Sequence, residues 1–351
     1  MIVIDGSYGE GGGQVLRTSL TLAILCGQAV KIERIRAGRS KPGLAAQHLT
    51  ALRAAAAICD ASVAGDEMGS SEVHFRPGGP ARAGDYYFDV THARRAGSAG
   101  SVCLVLQTVL LPLALAAGRS CLTLRGGTHV AWSPSFLYLN EVYLPTLGLP
   151  ATLELKQWGF YPAGGGVIVA QIQGGASDVL PLSLTRRGAL RRVWGTGAVS
   201  NLPAHIPQRM VNRARNVLAE QGIEADLQAL RVRANGPGAG IFLSVEHEDG
   251  VRAGFTAYGR KRLPAERVAE AACQDLVKYC QNSHAAPVDK HLADQLIVPL
   301  SFAGGESCFT ASQVTEHLRT NMWVVEQFNQ ARFKVVGQTI TVHPQRGGER
   351  T

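Results

Sequence analysis

GEGGGQVLRTSLTLAILCG, from Gly9 to Gly27, decides how this chain of 351 residues begins to fold. Four glycines surround the carboxylate of Glu10, and the apolar run after them predicts an amphipathic helix with Arg17 near its start. Glycines let the backbone approach a bound anion, and a helix N-terminus offers unpaired N–H donors. A tight turn with no ligand explains the same local pattern and is the commoner reason for it.

Glu10 favours a ligand at this turn. The turn is not a Walker A loop, because no Gly-Lys-Ser/Thr follows it, and Gln14 stands where a dinucleotide fingerprint needs its last glycine. A carboxylate beside an anion site is unfavourable unless a divalent cation lies between them. Glu10 is therefore a candidate metal ligand, with favourable placement ahead of the helix dipole as its alternative role.

The same design recurs along the chain. GSAGSVCLVLQTVLLPLALAAG, from Gly97 to Gly118, is again a glycine-rich turn followed by an apolar helix, and a third apolar helix is predicted within Val288 to Gly305. Alternating, strand-like segments accompany them: MIVID, QAVKIERI, SEVHFRP, CLTLRGG, GGGVIVAQIQ, ESCFTAS and FKVVGQTITVH. A repeated unit of strands and two helices, with the helices on one sheet face, would form a large domain.

The pattern changes at about Ser183. A basic strand-like segment, TRRGALRRVWGTGAVS, precedes a helix, three strands and a second helix, whose buried stripe is predicted to contain Val268, Ala272, Leu276 and Tyr279. We predict an α+β fold in which residues 183–283 form a small α+β domain. This domain is inserted into a large one that comprises residues 1–182 and 284–351.

The bulk composition fits a globular protein with an anionic partner. Hydrophobic residues make up 46% and charged residues 18%, and the chain is long enough for two domains. A net charge of +8 favours RNA or a nucleotide as partner, although a merely basic cytosolic protein would have the same charge. The sequence does not specify an oligomeric state.

Two features predict a cytoplasmic protein. The seven cysteines contain no CxxC pair, which argues against a zinc site and a disulfide framework and favours a reducing compartment. The most apolar stretch, Cys103 to Gly118, is interrupted by Gln107 and Pro112 and is shorter than the roughly 20 residues that span a bilayer. We expect it to be a buried helix, with no membrane association.

A basic loop supplies candidate phosphate ligands. In IRAGRSKPGLAAQH, the side chains of Arg36, Arg39 and Lys41 lie within six positions, and Arg17 could join them. Arginine forks match phosphate oxygens better than lysines do. The simpler readings are a solvated basic loop and, for His48 in the helix that follows, a core histidine with its hydrogen bonds satisfied.

Polar residues on two other helices suggest a second part of a site. Gln107 lies among leucines and valines, so its amide needs a partner, either a backbone carbonyl or a bound nucleotide. His291 and Asp294 could converge with His317 if the intervening strand returns the chain beside their helix. A lone surface histidine is the simpler reading of His317, and no Ser/His/Asp or HExxH pattern indicates a hydrolase.

Together these segments resemble the RNA 3′-terminal phosphate cyclase family. The matching motifs are DGSYGEGGGQVLR, IRAGRSKPGLAAQH, GSAGSVCLVLQTVL, LRGGT, GFYPAGGG, HLADQLIVP and HLRTN, in the order that the family has them. The resemblance implies three repeated α/β units, similar to the C-terminal domain of translation initiation factor three, and an inserted small domain. It also implies ATP-dependent conversion of an RNA 3′-phosphate into a 2′,3′-cyclic phosphate, with release of AMP and pyrophosphate.

The resemblance assigns roles to residues that match the family's motifs. His317 corresponds to the nucleophile that becomes covalently adenylylated, and Glu10 to the acid that holds Mg²⁺ or Mn²⁺ on the ATP phosphates. The nucleotide pocket would comprise Gln107, His291, Leu292, Ala293, Asp294 and Gln295. The residues facing the RNA terminal phosphate would be Arg17, Arg36, Arg39 and Gln47.

Two other protein classes share parts of this pattern. A non-catalytic, cyclase-like ribosome-assembly factor would keep the fold and lose the nucleophilic histidine, which this sequence retains as His317. An enolpyruvate-type transferase would have a related architecture without the HLRTN and GFYPAGGG segments.

Overall fold

A computed structural model describes residues 1–93, 98–281 and 285–345. Within these ranges the protein has a mixed α/β architecture with four four-stranded sheets. This architecture is consistent with the predicted α+β class. None of the helices in these ranges is both long enough and apolar enough to cross a membrane.

The first sheet and its helices come from the N-terminal part of the chain. Their elements are β1 (Ile2–Asp5), α1 (Gly13–Cys26), β2 (Val30–Glu33), α2 (Ala46–Cys59), β3 (Ser62–Ala64) and β4 (Val73–Arg76). Helix α1 ends at Gly27, whose left-handed conformation (φ +62°) lets its N–H reach the carbonyls of Ala23 and Ile24.

The second sheet and its helices follow the first along the chain and repeat its order of strand, helix, strand, helix, strand and strand. Its elements are β5 (Asp85–Asp89), α3 (Val102–Leu115), β6 (Arg119–Gly126), α4 (Phe136–Tyr138), α5 (Leu144–Leu147), β7 (Ala151–Gln157) and β8 (Gly166–Gln173). A π-helical turn, Leu139–Tyr143, joins α4 to α5. Helix α3 is buried along most of its length, which confirms the prediction of a buried helix for this apolar segment.

The third sheet is interrupted by a segment with a sheet of its own. After β9 (Ser183–Leu184), this segment contains β10 (Leu190–Ser200), α6 (His205–Ala219), β11 (Asp226–Arg231), β12 (Gly238–His247), β13 (Arg252–Tyr258) and α7 (Ala265–Cys280). The third sheet then resumes with α8 (Lys290–Leu300), β14 (Ser307–Thr310), α9 (Glu316–Gln327), β15 (Ala331–Val336) and β16 (Thr339–Pro344).

The first three sheets have the same strand order and the same pairing directions. The orders are β1-β2-β4-β3, β5-β6-β8-β7 and β9-β14-β16-β15. In each sheet the first two strands are parallel and the other neighbours are antiparallel. The fourth sheet, β11-β10-β12-β13, has a different connectivity.

Two large hydrophobic cores correspond to this division. One contains residues from the first three sheets and from α1, α2, α3, α8 and α9, and the other contains residues from β10 to α7. The predicted stripe on α7 is buried in the second core at Val268, Ala272, Leu276 and Tyr279. We call the segment from β10 to α7 the inserted segment.

The observed ends of the inserted segment can be compared with the predicted domain bounds, residues 183 and 283. Ser183 and Leu184 pair with β14, so the sheet of the inserted segment begins after them. The predicted return to the large domain at residues 283 and 284 lies outside the described residues.

Helix α1 lies at the centre of the large core. It packs against α2, α3 and α9, and α8 packs against α9. Residues far apart in sequence therefore meet around the N-terminus of α1, where the glycine-rich turn begins.

Candidate active site

The glycines of the opening turn allow two helices to approach it closely. A Cβ atom at Gly9 would overlap the hydroxyl of Thr320 on α9, and one at Gly13 would overlap the ring of His48 on α2. Gly9 also has a φ of +61°, which larger residues rarely adopt. The bare backbone thus places α9 directly beside the turn that contains Glu10.

His317 lies between two side chains of this turn. It occupies the first turn of α9, whose N-cap Thr315 accepts the N–H of Leu318. The ring Nε2 of His317 is 2.9 Å from Glu10 Oε2, and its Nδ1 is 2.5 Å from Gln14 Oε1. The ring is about half exposed, so a ligand could reach it.

Gln14 determines which ring nitrogen of His317 faces Glu10. Its amide nitrogen donates to the carbonyl of His317 at 3.2 Å and to Asp294 Oδ2 at 3.4 Å, which leaves Oε1 directed at His317 Nδ1. Since an amide oxygen only accepts, Nδ1 carries a proton in this arrangement. In the neutral ring, Nε2 on the side of Glu10 is then the nitrogen that carries the free lone pair.

A second contact fixes α9 against α1 and α8. Asn321 Nδ2 donates to the carbonyl of Asp294 at 2.8 Å, and Thr18 donates from its hydroxyl to Asn321 Oδ1 at 2.7 Å. Sequence reasoning assigned no role to Asn321 or Gln14, although both lie in the quoted motifs. The four-residue spacing from His317 to Asn321 puts both side chains on one face of α9, and this spacing could have identified Asn321 as a site residue.

Asp294 lies beneath this arrangement in an unusual electrostatic environment. Burial and the nearby Asp289 raise the pKa of Asp294 to about 8, against the opposing effect of Arg17. Burial lowers the pKa of Arg17 to about 10, which leaves its guanidinium cationic at neutral pH. The protein thus holds one positive charge close to a carboxyl group that binds a proton more readily than usual.

The pKa of Asp294 predicts a specific pH dependence of stability. Because the folded state keeps this proton while the unfolded state loses it near pH 4, the free energy of unfolding should fall as pH rises from about 4 to about 8. Asp294→Asn should therefore show a smaller decrease in Tm between pH 5 and pH 8 than the wild type. The exposed Asp275→Asn variant is the control, and equal pH dependence in all three proteins would contradict the assignment.

The basic loop reaches the same turn. Arg39 lies 3.6 Å from Glu10 Oε2 and borders Gly12, while the guanidinium of Arg36 donates to the carbonyl of Gly43 at 2.7 Å. Partial burial and the charge of Arg39 lower the pKa of Arg36. The structure thus brings together Arg17, Arg39 and Glu10 around one end of α1.

His48 and Gln47 adopt supporting positions on α2. His48 is buried and its Nδ1 accepts the N–H of Ala45, as expected for a core histidine. Burial and the charges of Arg17 and Arg36 hold the pKa of His48 well below its usual range. Gln47 Oε1 accepts the N–H of Ser101 at 2.9 Å, which ties α2 to the turn before α3.

The predicted nucleotide residues divide into two groups. Gln107 donates to Gln295 Oε1 at 2.6 Å, so its partner is another candidate residue, and the exposed His291 lies one helical turn before Gln295. Leu292 and Ala293 have their side chains buried in the large core, so only their backbone atoms could contact a nucleotide. The N–H groups of His291 and Leu292 both donate to Asp289, the N-cap of α8.

The described residues supply few ligands for a metal. Among them, no group of three or more His, Cys, Asp and Glu side chains could hold an ion. Glu10 is a single carboxylate, half exposed, on the turn. Such a donor fits Mg²⁺ or Mn²⁺ only where phosphate oxygens and water complete the coordination.

Comparisons with known proteins identify the family of this chain. A family model described as RNA 3′-terminal phosphate cyclase matches residues 8–335. A protein of that name from Trichormus variabilis is 52% identical over 338 residues, which cover 95% of this chain and 96% of the relative. Another, from Methylococcus capsulatus, is 52% identical and covers 95% of this chain and 93% of its own length.

A solved structure gives only a weak alignment. The enolpyruvyl transferase NikO from Streptomyces tendae aligns with 98% of this chain and 83% of its own chain, at 10% identity and a TM-score of 0.23. A score this low carries no argument about the fold.

Proposed function

We propose that this chain, which belongs to the RNA 3′-terminal phosphate cyclase family, uses ATP to convert an RNA 3′-phosphate into a 2′,3′-cyclic phosphate, releasing AMP and pyrophosphate. The observation that carries the proposal is the position of His317, whose ring lies between Gln14 and Glu10 at the glycine-rich turn. The scattered cysteines support a cytoplasmic location for this reaction.

The first step would use Nε2 of His317 as the nucleophile. Glu10 contacts this nitrogen and would take a proton that it carries, while Gln14 Oε1 accepts from Nδ1. The Nε2 lone pair then forms a bond to the α-phosphorus of ATP, and the bond from that phosphorus to its bridging oxygen breaks. Pyrophosphate leaves with the electron pair, and Arg17 is near enough to the turn to stabilise its charge.

The remaining steps would transfer the adenylyl group and close the ring. An oxygen of the RNA 3′-phosphate attacks the same phosphorus, and the nitrogen–phosphorus bond breaks as His317 recovers its lone pair. The neighbouring 2′-hydroxyl then loses its proton and attacks the 3′-phosphorus, and AMP departs. Because the 2′-hydroxyl is the nucleophile, the substrate must be RNA.

ATP and a divalent cation fit different parts of the site. Gln107, Gln295 and the exposed His291 offer polar contacts for the nucleotide, and Glu10 would hold Mg²⁺ or Mn²⁺ together with phosphate oxygens. When bound, the cation supplies positive charge against the phosphates of ATP. The protein's own contribution is to orient His317 and to gather arginines at the same turn.

The topology supports a finer description of the fold. We infer that the three sheets of identical order represent three repeats of one βαβαββ unit, similar to the C-terminal domain of translation initiation factor three. Their common strand order and pairing directions are the supporting observations. The inserted segment would lie within the third repeat, between β9 and α8.

A direct test of the function uses matched nucleic acids. The protein is incubated with ATP, Mg²⁺ and a single-stranded RNA bearing a 3′-phosphate, and a DNA of the same sequence is the control. We expect the RNA end to become resistant to phosphatase while AMP accumulates, and the DNA end to remain uncyclised. An RNA end that stays sensitive to phosphatase would contradict the proposal.

Arg39 should matter more for the RNA than for ATP. Arg39→Ala is expected to slow adenylyl transfer to RNA about 10- to 100-fold, because a charge-assisted bond to the terminal phosphate is lost, and to affect self-adenylylation less. Lys41→Ala, an exposed cation on the same loop, is the control. Single-turnover rates measured separately for the two steps check the result, and an equal loss in both would exclude a role at the RNA phosphate.

A further inference from the structure

We propose that the RNA strand leading to the 3′ end binds a surface shared by the large core and the inserted segment. This surface comprises two strongly exposed aromatic residues, Trp132 and Tyr161, and a cluster of five cations on the inserted segment; we call it the strand surface. The proposal rests on the proposed function and extends it to nucleotides upstream of the reacting end.

Trp132 and Tyr161 expose large rings to solvent on adjacent loops. Trp132 is fully exposed, and Tyr161 is 75% exposed. The loops are joined by a bridge between His129 and Phe160 and by hydrogen bonds from the N–H groups of Thr128 and His129 to the carbonyl of Gly159. Exposed aromatic rings of this kind are the platforms on which unpaired bases stack.

The backbone conformation at Trp132 also favours a ligand at this position. Its φ of +64° is unfavourable for a bulky side chain, and its ring buries nothing in return. Folding therefore gains nothing from a tryptophan at this position. A ligand that covers the ring explains why the position carries a large aromatic side chain.

Five cations lie at one end of the inserted sheet. The register pairs Val199 with Arg231 and Gly240 with Tyr258, so the end of β11 and the segment after β13 lie at the same end of the sheet. The cluster is exposed and comprises Arg231, Arg233, Arg260, Lys261 and Arg262. The hairpin at the opposite end carries the exposed acids Glu248 and Asp249.

The basic end of the sheet contacts the aromatic loops. Trp158 bridges to Ala234, and Gln157 donates to Asn235 at 2.8 Å. Gly238 packs against Phe160, where a Cβ atom would overlap the ring. Trp158, which is partly buried, also stacks on the buried ring of His129 with ring centroids 3.9 Å apart. The aromatic and basic parts of the strand surface are therefore held in one arrangement.

The strand surface continues to the candidate active site. Gly164, on the loop of Tyr161, lies against the backbone of Ser98 and Ala99. Two residues further on, the N–H of Ser101 donates to Gln47, one of the residues proposed to face the terminal phosphate. A strand whose 3′ end lies at the arginines could thus extend past Gln47 to Tyr161 and Trp132.

The chemistry of the surface fits single-stranded RNA. Aromatic rings stack on bases only where the bases are unpaired, and the cations bind backbone phosphates without reading sequence. The positions described here require several nucleotides upstream of the end. A dinucleotide would reach the active site without covering the cationic cluster.

The test compares long and short substrates in matched variants. Trp132→Leu and the double variant Arg231→Ala/Arg233→Ala are compared with Trp132→Phe and with Lys278→Ala, an exposed cation near the C-terminal end of α7. Substrates are a 3′-phosphorylated RNA of about 12 nucleotides, within the range that such surfaces bind, and a dinucleotide 3′-phosphate. Cyclisation kinetics, RNA binding by fluorescence anisotropy and self-adenylylation from ATP are measured.

We expect both test variants to weaken binding of the long RNA about 5-fold or more and to raise its KM, because stacking or phosphate contacts are lost. The arginine variant should also reduce the salt dependence of binding by about one unit of log–log slope. Dinucleotide kinetics and self-adenylylation should stay at wild-type values, as should all properties of Lys278→Ala, and Trp132→Phe should retain most of the affinity.

Two results distinguish a failure of the strand-surface proposal from a failure of the proposed function. If the test variants bind long RNA as Lys278→Ala does, the strand surface is wrong even where the wild type cyclises RNA. If the wild type binds long RNA through these residues but cyclises neither substrate, the proposed function fails while the surface stands.

Discussion

Replacing His317 with alanine is expected to reduce covalent labelling of the protein by [α-32P]ATP to background, a loss of more than about 10³-fold. The ring is the nucleophile in the proposed reaction, and its Nε2 lies 2.9 Å from Glu10 at the turn proposed to receive the ATP phosphates. RNA cyclisation should be lost with the label, since no adenylyl group would reach the RNA. Label in the wild type should be labile to acid and stable to alkali, as a phosphoramidate is.

His343→Ala provides the control for this experiment. His343 is a half-exposed histidine on β16 that contacts Glu306, so removing it tests nonspecific labelling without touching the site. Undiminished labelling of His317→Ala would exclude His317 as the nucleophile. Loss of labelling in both variants would show that the assay reports something other than the His317 adduct.

Glu10→Gln should produce the second large effect, slowing self-adenylylation about 10- to 100-fold. The substitution keeps the shape of the side chain but removes the charge that contacts His317 and Arg39 and that would hold the cation. The Mg²⁺ concentration for half-maximal adenylylation should rise by a similar factor. A titration of the initial rate against Mg²⁺ and Mn²⁺ measures both quantities.

Glu316→Gln is the matched control for Glu10. Glu316 precedes His317 on α9 but is directed at Arg319, so its charge lies near the site without taking part in it. We expect wild-type metal dependence in this variant. An unchanged metal titration for Glu10→Gln would remove its proposed role as metal ligand, and a slower rate alone would then reflect its contact with His317.

The sequence predicted two of the buried helical surfaces correctly. The apolar stretch predicted as a buried helix is α3, and the stripe that helical spacing predicted on α7 is buried, because such faces are stable only when buried. Four strands of the large core were missed. Strand β3 has three residues and β9 two, too few for an alternation to be visible, whereas β5 and β7 are longer and were overlooked. The two shortest strands form by hydrogen bonding to longer neighbours, β3 to β4 and β9 to β14.

One predicted strand is in fact a hairpin. FKVVGQTITVH alternates at both of its ends, but β15 ends at Val336 and β16 begins at Thr339, with Gly337 in the left-handed region at φ +59°. Glycine in a two-residue connection permits the reversal. The sequence signal was the single glycine, and the alternation on both sides concealed it.

The site could be predicted only in part. The motifs indicated Glu10, His317 and Asp294 as candidates, and the fold brings them together across some 300 residues of sequence. The role of Gln14 was not visible, because it depends on how α9 meets α1, and that approach follows from Gly9 packing on Thr320. Contacts made by close backbone packing leave little trace in periodicity or composition.

The most direct test of the account is the intact mass of the protein after incubation with ATP and Mg²⁺, with no RNA present. We predict an increase by the mass of one adenylyl group, located on His317 by peptide mapping and removed when RNA with a 3′-phosphate is added. An unmodified mass, or an adenylyl group on another residue, would contradict the claim that His317 is the nucleophile of an ATP-dependent cyclase.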